Sequence, residues 1–576
     1  MGGGGPIGGS GGAAGLGGST DGGLSGSAGL TGSGGSAGST VACIPLVPIT
    51  RRVWPLQPVH YGNATRDLLS LATAPAAANI PIYAPPPPFA STLAIDATYL
   101  FALYQTAGVI ATQVAPRAAA LAACGAGDTD AACATRFARS FGRQAFRRGL
   151  DDVEVTDMMK VFAKVCPGPS ASCASPADFA TAINLMIKAF ILAPSFLYRT
   201  ELGPRSLTAN AAGVYPDTAL TADEVATQLG FLLLGSTPDA GLLAAADSGA
   251  LDTPAGILSE LNRLLALPAV QTNVTGMVAQ WLGVDRLADK TKDPALLTPL
   301  GGPTPDQAAI AAALRTSWDR AVTETLWSNP PGKVTDLLTS QTFFADSRLA
   351  VIYGLPAGAT PDHTFNEIAW PAAQHRAGIL THPAFLWAFS DPIQANIVMR
   401  GKAIHKAIVC QDPVGLEPDP STPERLAVAQ TGDSEATRSD ARLASGTLCA
   451  DNCHTELDSY GRLLHRFGPI GNYRTVDEAG RPIDPSVTLT ANSPLGPTTL
   501  SGPDALANAL VSSKVFAGCA VQRLFEAVVD VSVPTRNTCQ VDDLGAAFDR
   551  SDGTIASLLR QIVLSDFARA RAGGTE

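Results

Sequence analysis

Apolar residues recur along this chain at intervals of three and four, the repeat expected of helices with one buried face. Tyr61, Ala64, Leu68 and Leu69 mark the first such face, and residues 99–121 continue the pattern with little glycine. Phe179, Ile183, Met186, Ile187, Phe190 and Ile191 form another stripe, which stops before Pro194 because a proline disfavours helix in the residue ahead of it. Thr221-Ala222-Asp223-Glu224 reads as a capping box before the buried positions Val225, Leu229, Leu232 and Leu233. The helical repeat returns over 257–267, 274–282, 307–327, 347–353, 515–529 and 555–567, whereas turns and short strands are predicted for 472–500. The pattern predicts a mostly α, multi-helical protein of several packed helical domains with a few short strands.

Breaks in the pattern divide the chain. Residues 1–42 are almost wholly Gly, Ser, Ala and Thr, too poor in apolar surface to offset chain entropy, and predict a disordered tether. A Pro-rich connection falls at Pro85 to Pro88, and a Pro- and charge-rich linker is expected over 413–440. The resulting units are 48–122, 123–205, 216–356, 370–485 and 500–572. In the second, Arg136, Arg139, Arg143, Arg147 and Arg148 alternate with Phe137, Phe141, Phe146 and Leu150. Arginine stems covering a helix flank account for that stripe better than an anion site does.

Composition narrows the function classes. Hydrophobic residues make up 46% of the 576 positions and charged residues 16%, enough for large cores. A net charge of -11 argues against nucleic acid or anionic lipid as a partner, since neither rewards an acidic surface. The most apolar stretch, Phe179 to Tyr198, is interrupted by Asn184, Lys188 and Pro194, so no transmembrane span is expected. No phosphate-binding glycine loop, no dinucleotide fingerprint and no His-Glu-x-x-His occurs, and no hydrolytic chemistry is claimed.

Ten cysteines point to an oxidising compartment. Cys124 with Cys133 and Cys166 with Cys173 flank short polar loops, and Cys519 with Cys539 would close a longer segment. Cys43 and Cys410 are left over, to pair or to stay reduced. Export predicts a secretory leader, and the opening Met-Gly-Gly-Gly-Gly-Pro has neither a basic nor an apolar region of that kind, so the expectation is a leader missing from this sequence. Periplasm or cell surface is the expected location, with surface attachment through that leader.

The chemistry concentrates in Cys449, Cys453 and His454. Two thiols followed at once by an imidazole is the order that holds a c-type haem, with thioethers from Cys449 and Cys453 and His454 on the iron. Three residues separate the thiols here, where the common attachment sequence has two. The same spacing also admits a Cys449–Cys453 disulfide, or a zinc site completed by Cys410 or a histidine. Met399, His382, His405 and His465 are candidate sixth iron ligands by type, with Met399 preferred; His465 could share the iron with His454 only if Gly461 breaks the helix between them.

Several phrases resemble those of an exported multidomain family built around the domain of unknown function fifteen-ninety-two, with companions fifteen-eighty-seven, ninety-five, eighty-eight and eighty-five, of planctomycete and myxobacterial type. They include Tyr61 to Leu69, Phe141 to Leu150, Ala193 to Arg199, Phe231 to Asp239, Trp281-Leu282-Gly283, Arg376 to Thr381, Arg400-Gly401-Lys402, Cys453 through Asp458, Gly468 to Arg474 and Val515 to Phe525. The resemblance implies a cytochrome-like module at Cys449 to His454 and assigns no activity. Two functions follow as expectations: an exported haem c protein passing electrons to a redox partner, or a non-catalytic, disulfide-stapled extracellular scaffold or binding protein.

Overall fold

A computed structural model describes residues 43–46, 48–75, 96–355, 363–411, 422–428, 432–531, 533 and 538–575. The glycine-rich tether, the Pro85 to Pro88 connection and part of the 413–440 linker lie outside the described residues. Residues 43–576 group as one compact unit. It is mostly helical, and its described strands pair two by two in five short antiparallel ladders.

The helices form where the apolar repeat places them. Pro58–Leu68, Ala97–Val114, Asp130–Ala145, Asp152–Phe162 and Pro176–Leu192 enclose one core, in which Phe137, Phe141 and Phe146 pack around Phe190. The expected helix over 99–121 breaks after Val114, where Pro116 can supply no helical N–H, and resumes over Ala118–Ala122. Arginines of the stripe serve structure: Arg143 pairs with Asp223 and Asp247, and buried Arg147 donates to the carbonyls of Ala145, Ser195, Phe196 and Tyr198. Thr221 and Glu224 form the capping box as read, each side chain accepting the other's backbone N–H.

A second, larger core is continuous from Leu220 to Ala568 and also takes in Ile49. The helix Gln307–Trp327 runs through it, burying Leu314, Trp318 and Leu326. Within the expected linker the structure has a helix, Glu435–Ala444, begun by Ser434, whose hydroxyl accepts the N–H of Thr437. Its many charged residues hid it from an apolar count.

Both ends of the compact unit are tied to the 198–219 segment, and Thr50 bridges Ala572 directly. Arg52–Pro55 pairs with Tyr198–Glu201, Thr218–Ala219 with Ala570–Arg571, and Val214–Tyr215 with Gly574–Thr575. Cysteine pairing follows this closure and corrects one expectation. Cys124–Cys133 and Cys166–Cys173 form as read, but Cys519 bonds Cys410 and Cys539 bonds Cys43, so the two leftover cysteines split the expected Cys519–Cys539 pair. Cys519 lies inside the helix Val515–Val529 and faces Cys410, while Ile44 bridges Thr538 and brings Cys43 to Cys539. Among the described residues no single helix is long and apolar enough to cross a membrane.

The Cys410–Cys519 bond spans 109 residues of sequence, and a crosslink of that reach stabilises by about 2–5 kcal/mol. Non-reducing peptide mapping is expected to recover 410–519 and 43–539 crosslinks. The double substitution Cys410→Ala, Cys519→Ala should lower the guanidinium unfolding free energy by that amount; recovery of a 519–539 peptide would refute the pairing.

Candidate functional site

The Cys-His stretch opens on a wide turn. Thr447, buried, accepts the N–H of Ala450 on its hydroxyl and starts the helix, and residues Ala450–His454 then coil as a π-helix. The N–H of Thr455 reaches back five residues to the carbonyl of Ala450, and the Thr455 hydroxyl donates to the same oxygen at 2.7 Å. A π turn holds one residue more than an α turn, and such bulges are common at functional sites. The third residue between the thiols is absorbed there, and His454 leads directly into the α-helix Thr455–Arg462.

His454 is held by Asp458, one turn on. Asp458 is fully buried; its Oδ2 accepts from the Ser439 hydroxyl at 2.6 Å and from Arg442 at 3.0 Å, and its Oδ1 lies 3.0 Å from Nδ1 of His454. Burial pushes this carboxyl up, but the bonds from His454 and Ser439 and the charge of Arg442 outweigh it and hold it below the ordinary aspartate range. An ionised carboxylate can only accept, so Nδ1 carries a proton, and in the neutral imidazole Nε2 is the nitrogen with the lone pair. This carboxylate–imidazole arrangement orients a metal-ligating histidine and raises its basicity. The sequence signal was the i, i+4 spacing of His454 and Asp458, together with a serine and an arginine on the helix hidden in the linker.

The crossing of two helices fixes this element. Ile397–Ala403 runs antiparallel across Thr455–Arg462, with Gly401 against Leu457 and Gly461 against Ile397. A Cβ on Gly401 would sit 1.7 Å from the Leu457 carbonyl oxygen, and one on Gly461 1.9 Å from that of Ile397. Gly461 therefore serves contact and does not break the helix, which continues to Arg462. Arg400, fully buried beside the crossing, donates to the carbonyls of Leu464 at 3.2 Å and Gly468 at 2.7 Å and so closes the helix end.

The other sequence candidates disperse. Cys453 is buried, and burial raises its thiol pKa; Cys449 is half-buried; no disulfide joins the two, contrary to that expectation. Cys410, one of the candidate fourth zinc ligands, is bonded to Cys519, and among the described residues no group of three or more His, Cys, Asp or Glu is placed to hold a metal ion. His382 caps the helix Pro383–Ala388 and lies between Trp318 and Phe343. His465 is buried, its pKa pulled down to about 4 by burial and by Arg474. Met399 is 37% exposed and stands about 200° around its helix from Ile397, on the side away from the crossing. His405 packs with its ring 6.3 Å from Tyr460, on the helix after His454.

Three family models match the chain, each described as a protein of unknown function: DUF1595 over residues 133–201, DUF1592 over 220–355 and DUF1588 over 376–477. The matches support a domain-of-unknown-function family. The DUF1588 match contains the glycine crossing, the wide turn, His454 and Asp458. No curated protein and no solved structure matches the chain.

Gly401→Ala or Gly461→Ala forces two backbones apart and should cost about 3 kcal/mol, read as a lower denaturation midpoint. Asp458 should show in acid. Its folded pKa is depressed, so its stabilisation is present above the unfolded value of about 3.9 and is lost as pH falls through the folded value. Asp458→Asn should destabilise the protein by about 3 kcal/mol at neutral pH and flatten the acid limb of stability against pH; an unchanged acid limb would refute the assignment.

Proposed function

We propose that Cys449, Cys453 and His454 hold a c-type haem, and that the protein is an exported electron carrier of the periplasm or cell surface that meets a redox partner. The observation that carries this reading is the buried Asp458 on Nδ1 of His454, which leaves Nε2 as the ligand nitrogen on the wide turn that carries Cys453 and follows Cys449. The donor set suits haem attachment: two thiols precede an oriented imidazole, and His454 keeps 22% of its side chain exposed. Bound there, haem would supply one-electron chemistry.

The chain's own part is to fix the ligand. Asp458 holds the proton at Nδ1, Ser439 and Arg442 hold Asp458, and the glycine crossing holds the helix that carries both. A carboxylate behind the histidine makes it a stronger donor, which favours the higher oxidation state of a bound metal and predicts a low reduction potential.

The second reading is a non-catalytic extracellular scaffold or binding protein. Four disulfides favour it, since they staple both cores and the ends of the compact unit without requiring a cofactor. Intact mass and a pyridine haemochrome spectrum decide between the two, on protein exported in a host with haem-attachment machinery. The haem reading expects the mass of one haem and its spectrum, both lost in Cys449→Ser and in Cys453→Ser. A colourless protein, lighter than its sequence mass by about two hydrogens per disulfide, would leave the scaffold.

A further inference from the structure

A cleft of about 300 Å³ lies apart from the Cys-His helix, where the first strand, the 198–201 strand, the helix Pro268–Trp281 and the end of the helix Val515–Val529 converge. Three polar groups that line it have no hydrogen-bond partner in the protein although their atoms are buried: Nε1 of Trp54, Nε of Arg199 and Oδ1 of Asp530. Buried polar groups are paired in the great majority of cases, and an orphan is destabilising. Three in one concavity, two donors and one acceptor, mark a place for a ligand.

Backbone pairing brings them together. Trp54 stands opposite Arg199 in the antiparallel ladder, and the guanidinium of Arg199 lies 4.9 Å from the Trp54 ring and 5.1 Å from that of Phe231, so it is fixed between two aromatic faces. Asp530 ends its helix in a left-handed conformation, φ 54°, which turns it off the helix line. Burial pushes the Asp530 carboxyl up to about 7 against the pull of Arg199 and Arg52, while Glu201 adds to the rise; it is an acid short of a direct cationic partner. Phe231 and Leu232 come from a second π-helix, Gly230–Leu234, and with Met277 they give the cleft an apolar wall.

We infer that this cleft binds a small zwitterion of the α-amino-acid class, its carboxylate on Arg199 and Trp54, its ammonium on Asp530, and its side chain against Phe231 and Met277. Opposite charges lining one small cleft suit a ligand that carries both charges on groups attached to one carbon. A neutral polyol could use the hydrogen bonds, but it would bring no charged group to Arg199 or Asp530, which attract each other across the cleft.

The test is calorimetric titration of the full chain at neutral pH with each standard L-amino acid, followed by the amide and the N-acetyl derivative of any that binds. Binding is expected for at least one, weaker by roughly tenfold or more when either charge of the ligand is removed. Asp530→Asn and Arg199→Gln should weaken it similarly. Because the derivatives are tested on unaltered protein, misfolding of a variant does not decide the outcome. No binding by any amino acid, equal binding of the neutral derivatives, or binding of glucose in their place would overturn the assignment.

Discussion

The buried carboxylate of Glu201 is the interaction on which the closure of this chain depends. Its Oε2 accepts from Arg52 at 2.7 Å and from Nε of Arg571 at 2.6 Å, so residues from the first strand, the 198–201 strand and the last segment meet on one atom. Burial alone would raise this carboxyl, but the two arginines outweigh it and hold it ionised. Removing one partner of such a set leaves a buried charge uncompensated and costs about 3–5 kcal/mol. The ion cluster also fixes register. With Arg52 opposite Glu201, Trp54 must fall opposite Arg199, and the alternation of side chains puts all four on one face of the ribbon. A slip of one residue would scatter them across two faces.

A second device, a buried cation spent on backbone carbonyls, recurs around the Cys-His helix. Arg400 closes the end of that helix, Arg376 binds the carbonyls of Ile352, Thr381 and Gly471, and Lys292 those of Trp387, Ser390 and Asp391. Each gathers carbonyls from helix ends and the loops that follow them, which helps irregular backbone lie inside a core. Arg376-to-Thr381 and Arg400-Gly401-Lys402 were legible as family phrases before they had a physical role. The role is structural: Arg400 and Gly401 position the element that carries His454.

What the sequence made legible was whatever is local. The capping box at Thr221, the long helix over 307–327 and the two short-range disulfides follow from spacing alone. Long-range pairing did not, because the partner of Cys519 is set by a helix face and that of Cys539 by the return of the first residues to the last ones. The helix Glu435–Ala444 was lost to its own polarity: its buried face is made of Glu435 and Ser439, and Arg442 also turns inward, toward Asp458. At the candidate site the residue types were legible, but the π turn and the carboxylate behind His454 needed coordinates. The cleft was invisible for a further reason: Trp54, Arg199 and Asp530 lie far apart in sequence, and no short motif spans them.

The two sites are joined by one rigid element. Cys519 ties the helix Val515–Val529 to Cys410, next to the π-helix Ile404–Ile408 that carries His405, and Arg523 donates to the Lys406 carbonyl. Eleven residues on, about 16 Å along the axis, the helix ends at Asp530 in the cleft. Coupling between distant sites requires an element with two arrangements that both sites bias. The helix is buried, crosslinked at one end and held at the other by Arg52 on the Val529 and Asp530 carbonyls. The helix therefore acts as a spacer that sets the distance between the cleft and the Cys-His helix.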